Sequence, residues 1–245
     1  MMKIALIGYG AMGRLIESLA IEQGHEITSI CTSDCVGESA AEVAARLSGA
    51  DVAIDFSVAQ AVRRNVEACV AAGVPLVEGT TGWHADRDAI ERFVRERMGA
   101  MVFGANFSIG VNLFFRIVGY AAELLARFPE VEVFIQEQHH SRKKDAPSGT
   151  ALKLQEIVEK AIAKSLERAP RGPANMGVPI ASTRAGHIPG THRVGFDSRA
   201  EQILLEHSAR SRDGFALGAI LAAKWINGKV GFYEFSDLLD EVLAA

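Results

Sequence analysis

The densest run of chemically capable side chains is His139-His140-Ser141-Arg142-Lys143-Lys144-Asp145-Ala146-Pro147-Ser148-Gly149-Thr150. Two imidazoles that titrate near neutral pH stand beside three permanent cations. Pro147 suits the start of a helix, whose buried stripe is marked by Leu154, Ile157, Val158, Ala161 and Ile162. Ser148, Gly149 and Thr150 would then offer first-turn amides and hydroxyls to an anion. A small negatively charged molecule suits this chemistry. Lys143 supplies a point charge with three donors, and either histidine can move a proton. A solvated basic loop ending in a helix cap is the plainer reading of the same residues. Asp145 suits bracing better than reaction. Neighbouring His139 and His140 point apart on a strand, and no cysteine or carboxylate pattern supports them, so no metal site is expected.

A second run, Gly8-Tyr9-Gly10-Ala11-Met12-Gly13, follows the apolar segment KIALI and precedes helically spaced Leu15, Ile16, Leu19 and Ala20. In that strand-to-helix context the glycines suit a dinucleotide. Gly8 permits the tight turn, Gly10 lets backbone reach a pyrophosphate, and Gly13 lets helix pack on strand. A tight turn without ligand is the alternative. Such a site expects an acidic residue after the second strand, about 20 residues on. Here Thr32-Ser33 end that strand and Asp34 follows. Asp34 can accept from ribose hydroxyls or merely cap a turn, and Arg14 is the cation at hand for a 2′-phosphate. NAD and NADP therefore both stay open. Two further loops, Gly79-Thr80-Thr81-Gly82 and Gly104-Ala105-Asn106-Phe107-Ser108, end later strands at the same predicted sheet edge. Their small residues and backbone groups suit the border of a nicotinamide.

These residues need elements to hold them. Apolar runs at 3–7, 26–32, 51–56, 74–78 and 100–103 alternate with helical spacing, including 58–72 and 85–98. That rhythm predicts a parallel sheet covered on both faces. After Gly110 it stops. A helix is expected over 111–128, stopped by Pro129, and then a strand over 131–138. Residues 184–196 read as two strands joined by a Pro189-Gly190 turn, and 201–207 as a third strand. The proline-rich run from Arg168 to Met176 reads as a loop, and helical spacing returns at 218–225 and 236–243. The expected fold is α/β: a Rossmann-type parallel-sheet domain (1–108) plus an α+β mixed-sheet domain for substrate and oligomerisation (109–217). A C-terminal segment (218–245) is expected to pack back on the first domain.

Composition bounds the rest. With 245 residues, 49% hydrophobic and 23% charged, the chain is an ordinary globular protein, neither disordered nor fibrous. No apolar run nears the ~20 residues of a membrane span, and the amino terminus reads as a strand. A net charge of −4 argues against non-specific nucleic-acid binding. Three cysteines without metal spacing suit a reduced, cytoplasmic protein.

Taken together, the motifs resemble the 4-hydroxy-tetrahydrodipicolinate reductase (dihydrodipicolinate reductase) family of the diaminopimelate route to lysine. The run from Glu137 to Ala151 carries most of that likeness. Asp55-Phe56-Ser57, Gly79 to Gly82, Asn106 to Asn112, and Arg184-x-Gly186-x-Ile188-x-Gly190-x-His192 add to it. The resemblance implies reduction of a cyclic dicarboxylate by NADH or NADPH, with His139 and Lys143 as proton donors. It implies that His140 contacts substrate, that Gly149-Thr150 bind a carboxylate, and that Gly8 to Gly13, Gly79 to Thr81 and Gly104 to Phe107 hold the cofactor. It also implies a homotetramer. The compact glycine loop and Thr32-Ser33 depart from the family's longer members, which leaves the cofactor preference undecided. A non-catalytic NAD(P)H sensor and another small-substrate dehydrogenase are the competing functions.

Overall fold

The structure is a computed structural model and describes residues 1–168 and 177–244. It divides into two units, Met1–Ile109 with Arg212–Ala245, and Gly110–Ser211. The first unit opens with β1 (Lys3–Ile7), α1 (Ala11–Glu22), β2 (Glu26–Cys31) and α2 (Ala40–Arg46). It continues through β3 (Val52–Asp55), α3 (Ala59–Ala72), β4 (Leu76–Glu78), α4 (Arg87–Glu96) and β5 (Ala100–Phe103). The second unit holds α5 (Ile109–Leu125), β6 (Glu132–His139), α6 (Gly149–Arg168), β7 (Ile180–Arg184), β8 (Thr191–Asp197) and β9 (Gln202–Ser208). The chain then returns to the first unit as α7 (Asp213–Ile226), β10 (Gly231–Glu234) and α8 (Phe235–Ala244).

The first unit is a six-stranded, all-parallel sheet in the order β10-β5-β4-β3-β1-β2. Strand neighbours alternate between its two faces, because successive side chains on a strand point opposite ways. Ile4, Leu6, Val52, Ile54, Val77 and Val102 pack with α1, α7 and α8. Ala5, Ile7, Ala53, Leu76 and Met101 pack with α2, α3 and α4. This double covering explains the continuous apolar strands. The chain runs from β1 outward to β2 and then back across to β3, so the strand order reverses between β1 and β3. Open α/β sheets bind ligands at the carboxyl edge of such a reversal, where the Gly8 loop lies.

In the second unit, β6 is central in the order β7-β6-β8-β9, parallel to β7 and antiparallel to β8. Phe114, Val118, Leu154, Val158 and Ala161 of α5 and α6 cover one face with Ile135, Val194 and Phe196. The fold class is the expected one, with four differences in detail. The strand expected from Arg184 to the Pro189-Gly190 turn is absent, since residues 185–190 form a loop. Strand β7 ends at Arg184, and β7 and β8 do not pair with each other but flank β6 on opposite sides, because β6 has an edge for each. Helix α2 and strand β10 gave no clear periodic signal, being only 7 and 4 residues long. Ser39 and Glu42 form a reciprocal capping box that starts α2. Helix α7 begins at Asp213, before the expected 218. Most of the expected proline-rich loop, residues 169–176, lies outside the described residues.

Candidate active site

In the second unit the sheet register gathers a buried polar cluster. Residues two apart on a strand share a face, so Glu137 and His139 of β6 do so. Glu137 lies opposite His192 of β8, and His139 lies beside Arg184 of β7. Glu137 is fully buried, and one carboxylate oxygen accepts from Arg184 Nη2 at 2.6 Å and from the Ser148 amide at 3.1 Å. The other lies 3.0 Å from His139 Nδ1 and 3.8 Å from His192 Nε2. Burial alone would raise the Glu137 carboxyl, but donors from Ser148, Ser182 and Arg184 outweigh it and hold the group at about 2. Burial lowers both imidazoles, His192 to about 4 with the His139 ring adding to the effect. Both histidines are therefore neutral at pH 7 in the unliganded protein.

Ser148 is the N-cap of α6, which begins at Gly149, two residues after the expected start at Pro147. Its Oγ accepts the Ala151 amide at 3.2 Å and meets His192 Nε2 at 3.1 Å. Gly149 begins the helix, and a Cβ added there meets no atom within 4 Å. No packing demand keeps Gly149 small, and the α6 first turn is open to an anion. Thr150 follows half-buried in that turn. Lys143 Nζ lies 2.8 Å from Asp145, so Asp145 braces the loop. Arg184 also donates to the Asp145 carbonyl. His140 Nδ1 is enclosed with no hydrogen-bond partner.

Glu137, Arg184 and His192 of this cluster received no chemical role from the sequence, and Gly190 only that of a turn. Gly190 has φ +138°, and an added Cβ would sit 3.2 Å from His139 Nε2, so this glycine leaves room for the imidazole. The signals available were the two-residue spacing of Glu137 and His139 and the place of all four residues in the motifs that carry the family likeness. Glu137, His139 and His192 also bring ligand atoms within 4.8 Å of one another. Arg184 already neutralises that carboxylate, so an added divalent cation would face a guanidinium.

In the first unit the glycine loop divides by role. Gly8 has φ +84°, and an added Cβ would lie 2.5 Å from the Phe56 carbonyl oxygen; at Gly13 it would lie 2.3 Å from the Gly8 carbonyl oxygen. Those two serve the turn and the packing of α1. At Gly10 an added Cβ meets nothing within 4 Å, and no side chain caps α1. The helix start beside Gly10, Ala11 and Met12 is thus open to a pyrophosphate, which fits its unpaired amides. Tyr9 is tied to Glu17 through its hydroxyl and lies under Arg14.

The remaining residues expected at the cofactor differ in what they expose. Asp34 accepts from the Thr32 amide at 3.2 Å and from the Thr32 hydroxyl, and lies 3.7 Å from Arg46. The cap of the Ser33–Gly37 turn is Thr32, whose hydroxyl accepts the Asp34 amide at 3.5 Å; Asp34 reaches back to Thr32 while its own side chain stays largely exposed. Thr80 is buried and Thr81 exposed. Gly79 passes so close to the Phe56 ring that an added Cβ would lie 2.2 Å from it. Gly104 packs against Phe235, and Asn106 Oδ1 accepts the Ser108 amide at 2.8 Å beside Ala105. Phe107 is a core residue, its ring 4.8 Å from Phe235 and 6.0 Å from Phe56, so only its backbone can serve a ligand.

Comparison with known proteins agrees on one family. Residues 2–107 match the profile "Dihydrodipicolinate reductase, N-terminus" and residues 110–239 match "Dihydrodipicolinate reductase, C-terminus". A 4-hydroxy-tetrahydrodipicolinate reductase of Christiangramia forsetii is 36% identical, covering 98% of this chain and 99% of the relative. One of Archaeoglobus fulgidus is 38% identical, covering 98% and 100%. A dipicolinate-bound dihydrodipicolinate reductase from Paenisporosarcina sp. TG-14 shares the fold with a TM-score of 0.78 at 21% identity, covering 97% and 99%.

Proposed function

This chain belongs to the dihydrodipicolinate reductase family and reduces 4-hydroxy-tetrahydrodipicolinate with NADH or NADPH; within that activity we propose that His139 and Lys143 supply the proton and the start of α6 holds a substrate carboxylate. The carrying observation is the buried Glu137-His139-His192-Ser148 cluster set against an open helix start at Gly149. The cofactor, its pyrophosphate at Gly8 to Gly13 and its dihydronicotinamide at the 79–81 and 104–107 loops, would supply the hydride. Loss of the 4-hydroxyl and a C5 proton as water gives a C4=C5 bond conjugated to the ring imine; hydride arriving at C4 then leaves negative charge on C5, which must take a proton. Lys143, near Asp145 but partly open, provides a cationic proton donor. His139 is neutral until a dicarboxylate arrives, whose charge favours the imidazolium that Glu137 also stabilises. The Ser148 hydroxyl and the amides of Gly149 and Thr150 receive the carboxylate, and His140 adds a further donor. Asp34 is a contact for the adenosine ribose.

We also propose a cytoplasmic homotetramer with no nucleic-acid or membrane partner. In support, Ile203 and Leu204 of β9 are 46% and 47% exposed on the small sheet, as apolar residues of an interface would be in a single chain. No helix among the described residues is long and apolar enough to cross a membrane.

The test is NADH or NADPH oxidation with substrate generated in place by dihydrodipicolinate synthase. Lys143→Ala and His139→Ala should each lower kcat by about 10² or more while the cofactor Kd holds. Near wild-type kcat in both variants refutes the assignment of the proton. Comparing kcat/KM for the two cofactors shows which one the Thr32-Ser33-Asp34 turn accepts.

A further inference from the structure

At the ends of β3 and β4, Asp55 and Glu78 stand opposite each other in the parallel register, and both are fully buried. Neither belongs to the proton chemistry above. Asp55 Oδ1 accepts the Ser57 amide at 2.8 Å, and its Oδ2 accepts from Asn65 Nδ2 at 2.6 Å. The Thr80 hydroxyl adds a long donor at 3.5 Å. Glu78 Oε1 accepts the Thr80 amide at 2.7 Å, whereas Oε2 is enclosed with no hydrogen-bond partner.

No Lys, Arg or His among the described residues forms an ion pair with either carboxyl. Arg64 of α3 stops at Asn65 Oδ1, 2.8 Å away, and at the Cys35 carbonyl, 2.6 Å away. The Cys69 thiol of α3 faces both carboxyls, and burial keeps it un-ionised. Cys31, whose thiol burial also raises, stands beyond Cys69. Two carboxylates side by side in a dry site without a counter-ion do not both ionise. Burial raises the Asp55 carboxyl too, but donors from Ser57 and Asn65 oppose it, so Asp55 is the ionised member. Burial and then the Asp55 charge push the Glu78 carboxyl well above the usual range, so it is the member with the proton.

The groups these carboxyls hold are the loops themselves. Ser57 and Thr80 donate their amides to the pair, and the Ser57 amide also reaches Thr80 Oγ at 3.0 Å. Gly79 lies against the Phe56 ring, so the two loops cannot shift independently. We propose that Asp55 and Glu78 share one proton and act as a positioning pair that sets the 56–57 and 79–80 loops for the nicotinamide end of the cofactor. This rests on the cofactor reading above.

Two measurements test it. In protein labelled with ¹³C at glutamate carboxyls, one glutamate should remain protonated at pH 7, and its signal should vanish in Glu78→Gln. Titration of NADH or NADPH fluorescence should show Glu78→Gln binding nearly as wild type, because the amide still accepts from Thr80 and donates to Asp55. Glu78→Leu should raise the cofactor Kd tenfold or more. Absence of a protonated glutamate in the wild type overturns the proposal, even if Glu78→Leu fails to fold. Wild-type affinity in Glu78→Leu also overturns it. A wild type with the protonated signal that binds neither cofactor would instead sink the cofactor reading.

Discussion

Replacing Glu137 with glutamine removes one charge from the centre of the second unit while keeping its shape. The carboxyl is held at about 2 rather than near 4.5, which corresponds to about 3 kcal/mol in favour of the ionised form. The neutral amide would leave Arg184 without its counter-ion, and loss of one partner from a buried pair costs about 3–5 kcal/mol. The two figures agree, and for a protein of this size about 3 kcal/mol lowers Tm by roughly 6–12 °C. A group whose carboxyl is depressed on folding stabilises above its unfolded value and loses that contribution as pH falls through the folded one. The difference between wild type and Glu137→Gln should therefore be full above about 4.5, shrink as pH falls, and be gone near 2. Urea unfolding of both proteins across that range, followed by far-ultraviolet circular dichroism, measures it. His139 should also become harder to protonate in the variant, because the carboxylate favours its charged form, and NMR titration of the ring reports this. A Tm within ~2 °C of wild type, or a gap that persists at low pH, would show that Glu137 is not the charge centre described.

The glycine loop separates ligand approach from packing. Gly10→Ala should leave stability within about 0.5 kcal/mol and weaken NADH or NADPH binding in fluorescence titration. Gly13→Ala, whose Cβ would lie 2.3 Å from the Gly8 carbonyl oxygen, should destabilise by about 1–3 kcal/mol in urea unfolding. His192 titrates at about 4 in the fold and 6.5 outside it, so its contribution to stability is full above 6.5 and declines as pH falls toward 4. His192→Asn should flatten that part of the stability curve, and an unchanged slope would contradict the buried, neutral ring.

The alternating strands, the strand-to-helix position of the glycine loop and the cationic run before α6 were legible in the sequence. Each is encoded over a few residues by periodicity, by turn chemistry or by charge. Shorter elements were not. Strand β10 is a buried edge partner of β5, and four residues carry too little periodicity to announce that pairing. The partners of His139 were also hidden, because Glu137 meets Arg184 and His192 through register across β7, β6 and β8. Register is a property of the folded sheet, not of any one strand. Local sequence thus determined which chemical groups the chain owns and which elements carry them. Tertiary packing alone decided that Glu137 is ionised and Glu78 is not, because donors surround one buried carboxyl and a second carboxyl faces the other.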